Sequence, residues 1–363
     1  MVRWLKNSTG RGVVSCDWFA LSCCLCSPRG DRPLAVPDGW SCVVMPPTAV
    51  WADRFFILDR EGNKVATLLM SPRSPAIDER RCVIEVANRF LYYDDFELVV
   101  DALLSCLPMV VTGLNRVDLC CDFEMTDALW RTYSRLASGR AYLKSLKCGS
   151  VWWQNVVPLA GDSRAVRMPH CLNFGGVESI FKWKIYYKWL ELQQAPVEAK
   201  KPYISDLWAS MGFYPRAVWR VEVSVHGSNK LACADGKPVS ALNWYRDRVS
   251  LFSNIYADKF VIRLDDGHAD KRNDKVLPFL DVVGGKMLWH ALPKNSRDDS
   301  DAERRMTVKL WNEFRQTDVQ ANSGLCSMLK SNLCELLERP SNVHALETVC
   351  GVTMNDVIRM MNE

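Results

Sequence analysis

Phe181-Lys182-Trp183-Lys184-Ile185-Tyr186-Tyr187-Lys188-Trp189 alternates apolar and polar side chains almost without a break. Successive side chains of a strand leave opposite faces, so Phe181, Trp183, Ile185, Tyr187 and Trp189 point one way and Lys182, Lys184, Tyr186 and Lys188 the other. The alternation predicts a half-buried strand with one tyrosine in the core and one on a basic surface. Tyr186 is the surface one, flanked by Lys184 and Lys188, where positive charge favours a phenolate and attracts a phosphodiester.

Two other segments repeat the device. Val218-Trp219-Arg220-Val221-Glu222-Val223-Ser224-Val225 sets Trp219, Val221, Val223 and Val225 against Arg220, Glu222 and Ser224. Arg116-Val117-Asp118-Leu119-Cys120-Cys121-Asp122-Phe123 sets Val117, Leu119, Cys121 and Phe123 against Arg116, Asp118 and Asp122. If the three strands are neighbours with their polar faces aligned, two aspartates, a glutamate, two arginines, several lysines and a tyrosine converge. Such a set suits phosphoryl transfer: carboxylates (Asp118, Asp122, Glu222) hold a divalent Mg²⁺ or Mn²⁺, cations neutralise the phosphate, and the tyrosine attacks in line. The solvent face of an ordinary antiparallel sheet carries charges as well, so alternation alone does not separate an active site from a wet surface.

Working outward, short β-type runs fill the first hundred residues, at Gly12–Cys16, Ser41–Met45, Arg54–Leu58, Val65–Met70 and Arg81–Val86, separated by turn signals such as Pro37-Asp38-Gly39. A helix is expected over Phe96–Leu107, a strand over Arg116–Glu124, and a long helix over Thr126–Leu146 with Thr126 as N-cap. A hairpin follows at Leu172–Lys188, then a short helix at Ser205–Gly212, a strand at Val218–His226 and a helix at Ser240–Phe252. The fold class expected is α+β, a central antiparallel sheet flanked by helices with a small C-terminal all-helical region. The expected division is a catalytic part over 1–293, strand-rich to 115 and bearing the site over 116–293, a polar linker at 294–305, and helices over 306–363.

Composition narrows the class of function. The chain has 363 residues, 48% apolar and 24% charged, which excludes disorder and coiled-coil architectures. A net charge of +4 neither requires nor opposes a nucleic-acid partner. Fifteen cysteines, an odd number without regular spacing in a long chain, fit a reducing cytoplasm better than a disulfide scaffold. Neither a signal peptide nor a membrane span is expected: Phe96–Leu114 is interrupted by Glu97, Asp101 and Pro108. Gly284-Gly285-Lys286 runs into Met287, so no phosphate-cradling ATPase loop forms. The five histidines lie too far apart in sequence for paired metal-ligand motifs, which leaves carboxylates as the metal ligands.

The run from Asn173 to Glu191, with Gly175 or Gly176, Ser179, Ile185, Tyr186, Lys188 and Glu191 in place, resembles the tyrosine motif of the Rep-trans family, the rolling-circle replication initiators of bacterial plasmids and some phages. Arg116–Asp122 and Trp219–Glu222 look similar to that family in the same order. Tyr187 departs from it, standing where the family has Asp or Asn. The resemblance implies a metal-dependent nickase and strand-transfer enzyme of a bacterial cytoplasm that joins Tyr186 to a 5′ phosphate and leaves a free 3′ hydroxyl for a host polymerase. It implies Lys188 and Arg220 on phosphate oxygens and Glu191 as a base or an orienting group. DNA contacts are expected at Lys182, Lys184, Arg116 and Ser179. The basic helix with Arg131 and Arg135 is suited to lie along duplex DNA. The partners expected are a double-stranded origin with a single-stranded nick site, host helicase and polymerase, and a second copy of the chain. Two other readings stand beside this one: an origin-binding regulatory protein without catalysis, and a metal-dependent nuclease that uses water.

Overall fold

The alternating segments become neighbouring strands of one large sheet. In the computed structural model, the residues described lie between Trp4 and Arg359, outside 8–9, 27–33, 75–76, 93–95, 145–147, 157–165, 177–178, 197–200, 227–230, 233–238, 268–273, 282–289, 292–306, 313, 316–328 and scattered positions beyond 334. The chain opens with β1 (Trp4–Asn7), β2 (Gly10–Leu25), β3 (Ser41–Met45), β4 (Trp51–Leu58), β5 (Lys64–Pro72) and β6 (Arg81–Val86). Helices α1 (Asn88–Tyr92) and α2 (Phe96–Cys106) lead to β7 (Met109–Glu124), α3 (Asp127–Ala137), β8 (Ala141–Leu143), β9 (Cys148–Val156), β10 (Val166–Phe174) and β11 (Phe181–Tyr186). Then come α4 (Lys188–Gln194), α5 (Pro202–Ser210), β12 (Val218–His226), the short β13 (Leu231–Ala232), α6 (Asn243–Arg246), α7 (Arg248–Lys259), β14 (Ile262–Leu264) and β15 (His290–Ala291). The fold is α+β.

Eleven strands form the main sheet in the order β3-β4-β5-β6-β2-β7-β12-β11-β10-β9, with β1 also on β2, and every pairing is antiparallel. β7, β12 and β11 are adjacent. Their register sets Asp122 opposite Arg220 and Arg220 opposite Tyr186, and Asp118 opposite Ser224 and Ser224 opposite Lys182. Directly opposed residues share a face, so the polar faces are aligned.

The other face is the core. Trp183 and Ile185 are fully buried there, Trp183 packing on Phe252, Tyr256 and Phe260 at the end of α7. Trp219 meets Tyr133 of α3 at 4.8 Å between ring centres, and Phe96 of α2 stacks on Tyr245. Large apolar side chains removed from water in this way each contribute about 1.5–3 kcal/mol.

Several expected boundaries move, for local reasons. The helix over Thr126–Leu146 stops at Ala137, where Gly139 takes a positive φ of 73°, although Thr126 does cap it, accepting from Leu129 N–H. The strand expected from Arg116 begins at Met109, and the division at 115/116 falls inside β7, so the residues on either side of it share one sheet. The strand over Phe181–Trp189 ends at Tyr186, because Lys188 starts α4. The linker at 294–305 lies outside the described residues. Beyond it, Trp311, Phe314, Leu329, Leu333, Leu337, Leu346 and Val357 bury one another in an apolar cluster of their own. No helix among the described residues is long and apolar enough to cross a membrane.

Candidate active site

The turn into β11 explains the glycine before it. Gly175 has φ +95°, and a Cβ there would stand 2.9 Å from the Phe181 carbonyl oxygen. Ser179 closes the same turn, its Oγ accepting from Gly176 N–H at 2.9 Å. Of the two glycines only Gly175 is required; a Cβ on Gly176 meets nothing within 4 Å. Gly175→Ala should therefore destabilise the fold by about 1–3 kcal/mol, whereas Gly176→Ala stays within about 0.5 kcal/mol, as urea denaturation of the two variants would read.

Tyr186 closes β11 on the polar face, half-buried. Its hydroxyl donates to Glu222 Oε2 at 3.0 Å, and Lys188 Nζ lies 3.4 Å from the Tyr186 hydroxyl oxygen. Lys188 is no longer on the strand, yet it reaches Tyr186 from the first residue of α4, its ammonium 5.4 Å from the ring centre. Fully buried, it is neutralised by Glu191 Oε2 at 2.8 Å, one helical turn on, with Asp17 Oδ2 at 3.9 Å. Lys184 approaches the other side of Glu222, Nζ to Oε1, at 3.7 Å.

The expectation of a ready-made phenolate is corrected. Burial pushes the Tyr186 phenol well above its ordinary value, and the Glu222 charge adds to the rise against an opposing pull from Arg220. Glu222 is itself raised, by burial first and then by the nearby charges of Asp118 and Asp17. At rest the pair is a neutral phenol aimed at a carboxylate with increased basicity.

Tyr187, one residue on, has the opposite environment. It is buried, stacks on Trp219 with ring centres 5.1 Å apart and donates to the Arg216 carbonyl at 2.6 Å. Burial raises its phenol to about 12.

Arg220 and Asp122 are the main corrections among the expected site residues. Both are wholly buried. Arg220 grips Asp122 with two hydrogen bonds, Nε to Oδ1 at 2.5 Å and Nη2 to Oδ2 at 2.8 Å, and also donates to Tyr92 OH at 2.8 Å. Trp208 Nε1 fills the remaining approach to Asp122 Oδ2 at 2.8 Å. The cause is a cover on this end of the polar face: α4 and α5 bring Leu192, Ile204, Trp208 and Met211 onto Val13 and Val218. Arg220 is thus removed from any phosphate, and Asp122 from any metal.

Asp17 joins this network and was not anticipated. It sits where the β2–β7 register slips between Cys16 and Trp18, an extra residue that alternation does not reveal. Its carboxylate meets Arg220 Nη1 at 2.8 Å and Lys201 Nζ at 3.8 Å, and accepts from Tyr92 OH at 2.9 Å and from Asn88 Nδ2 at 3.1 Å. Burial alone would raise its pKa, but Arg220, Lys188 and Lys201 outweigh it and hold the carboxyl well below the usual range.

Arg116 is bound to Asp118 through both carboxylate oxygens, at 2.9 and 2.5 Å, and lies over the Trp18 ring. Lys182 stands on the polar face beside Ser224. Arg131 and Arg135 are exposed, but α3 packs on the Trp219 face, so they lie across the sheet from Tyr186.

The expected metal set fits in part. Asp122 is spent on Arg220 and Trp208, whereas Asp118, paired with the half-buried Arg116, stands near enough to Glu222 to raise its pKa. No group of three His, Cys, Asp or Glu side chains converges among the described residues. A pair of carboxylates still suits Mg²⁺ or Mn²⁺, because such ions take most of their remaining ligands from water and phosphate.

No family model matches the chain, and no curated protein sequence matches it. Among solved structures it is similar to a rolling circle replication initiator protein from Geobacillus stearothermophilus, with 11% identity and a TM-score of 0.39 over 72% of this chain and 90% of that one. The likeness is distant.

Proposed function

We propose that the chain nicks and rejoins DNA through a covalent 5′-phosphotyrosine on Tyr186, as an initiator of rolling-circle replication. The observation that carries the reading is the Tyr186 hydroxyl donating to Glu222 at 3.0 Å with the Lys188 ammonium 3.4 Å away, a nucleophile between a base and a cation. A purely DNA-binding surface gains nothing from a buried carboxylate placed against its tyrosine.

In this mechanism Tyr186 Oη attacks the scissile phosphorus, its proton passes to Glu222, and the bond from phosphorus to the 3′ oxygen breaks, that oxygen taking a proton from solvent. Lys188 stabilises the negative charge that develops on the tyrosine oxygen as its proton leaves, with Glu191 holding the ammonium in place. Arg220, Asp122 and Asp17 keep β2, β7 and β12 in register beneath Tyr186 and touch no reacting atom. Asp118 and Glu222 would hold a divalent cation, which would supply further neutralisation of phosphate charge. Attack by a 3′ hydroxyl on the phosphotyrosine reverses each step and closes the strand. The phosphodiester energy is kept in the link, so ATP is not needed.

Glu222 gives this reaction its pH dependence. Its pKa is raised, so on lowering the pH it takes up its proton, and loses its function as a base, at a higher pH than an ordinary glutamate does. The acid limb of the cleavage rate should accordingly lie above the ordinary 4.5, and Glu222→Gln should cut the rate by about 10²–10⁴-fold. A rate profile with its limb at the ordinary glutamate value would assign the base elsewhere.

Incubation with labelled single-stranded DNA and Mn²⁺, followed by denaturing electrophoresis, tests the function itself. A protein–DNA band that EDTA prevents supports the proposal. Cleavage without an adduct favours a nuclease that uses water, and binding without cleavage favours a regulatory DNA protein.

A further inference from the structure

Three residues on the three strands at the free end of the sheet stand abreast: Trp152 of β9 faces Cys171 of β10, and Cys171 faces Tyr186 of β11. Opposed residues share a face, and neighbouring strands are about 4.8 Å apart, so Trp152 lies on the nucleophile's side of the sheet about 10 Å from it. Cys171 between them is small and buried, which makes a floor with an aromatic wall on either side. The depression has a volume of about 340 Å³, is also lined by Glu191 and Gln194 of α4, and lies within the range of small-ligand pockets, ~300–1,000 Å³.

Trp152 is 58% exposed, an unusual state for the largest apolar side chain unless its ring face is used. No part of the chemistry at Tyr186 and Glu222 requires it. Lys184, 44% exposed, stands two residues before Tyr186 on the same face and adds positive charge beside the depression.

Resting on the proposed nicking reaction, we infer that this depression binds an unpaired nucleobase next to the scissile phosphate, stacked on Trp152. An aromatic ring presents a flat surface that any base can stack on, while the lysines follow the backbone. A base within a duplex is already stacked on both faces, so the site selects single-stranded DNA. Trp152 would then set how far the strand is drawn past Tyr186, as a positioning residue for the substrate.

Fluorescence anisotropy of a labelled oligothymidylate with the full-length chain tests this. Trp152→Ala should weaken binding roughly 5- to 100-fold, the worth of one stacked base, and Trp152→Phe should stay within about threefold of wild type. The slope of log affinity against log salt should not change in Trp152→Ala, because no phosphate contact is lost. Trp153, also exposed at 48%, projects from the opposite face of β9, and Trp153→Ala should bind as wild type does. If Trp152→Ala keeps wild-type affinity, or Trp153→Ala or Trp152→Phe loses as much as it does, the base site is wrong and the Tyr186 chemistry is untouched. A wild-type chain with no affinity for the oligothymidylate would overturn both.

Discussion

Tyr186→Phe should give a folded chain that binds single-stranded DNA and forms no covalent adduct, a loss of roughly a thousandfold or more in cleavage. The substitution removes one hydroxyl. The ring still closes β11 against Lys188, so the change falls on the reacting atom and on the Glu222 hydrogen bond. Tyr187→Phe is the matched comparison. It gives up the 2.6 Å bond to the Arg216 carbonyl, worth about 1 kcal/mol, but keeps the stack on Trp219 and should retain the adduct. An adduct from Tyr186→Phe, or none from a folded Tyr187→Phe, would reverse the assignment.

The largest expected effect on stability lies under the site. Asp122→Ala should cost about 3–5 kcal/mol, because it leaves Arg220 buried with part of its charge uncompensated. That is a large share of the ~5–15 kcal/mol that holds an ordinary domain folded. Arg220→Met should cost a similar amount, since both Asp122 and Asp17 lose their main partner. The double variant Asp122→Ala with Arg220→Met should lose clearly less than the sum of the single substitutions, as two charges that needed each other are removed together. Urea unfolding of the three chains measures this. A wild-type midpoint for Asp122→Ala would put Asp122 back on an open surface and restore it as a metal ligand.

The contrast between those two predictions marks how far the sequence could be read. Period-two alternation at Phe181–Tyr186, Val218–Val225 and Arg116–Phe123 is a local property, and it identified three strands and the side of each that faces the core. With the strands adjacent, the same parity separated Tyr186 from Tyr187. Alternation does not say what covers a polar face. Asp122 and Arg220 read like residues bound for solvent, and they are buried because α5, more than eighty residues after Asp122, lays Trp208 over them. The apolar side of α5, with Ile204, Trp208 and Met211, was the available sign that something polar-faced lay beneath it.

Asp17 escaped for a different reason. A bulge adds one residue to β2 at that point, and a register slip depends on the partner strand, which a single segment does not specify. Lys188 was placed beside Tyr186 on a strand that had already ended. A helix beginning immediately after the strand put it there instead, within 3.4 Å of the same hydroxyl. Arg131 and Arg135 were recognised as exposed and basic, but their side of the sheet was fixed by the Tyr133 and Trp130 contacts with Trp219, which are long-range.

The central claim is that Tyr186, between Glu222 and Lys188, becomes joined to DNA. Protease digestion of the wild-type adduct, followed by mass spectrometry of the nucleotide-bearing peptide, reads that bond directly. The account predicts a phosphodiester on Tyr186 alone. A nucleotide on Tyr187 or on any other residue, or no modified peptide after cleavage has taken place, would contradict it.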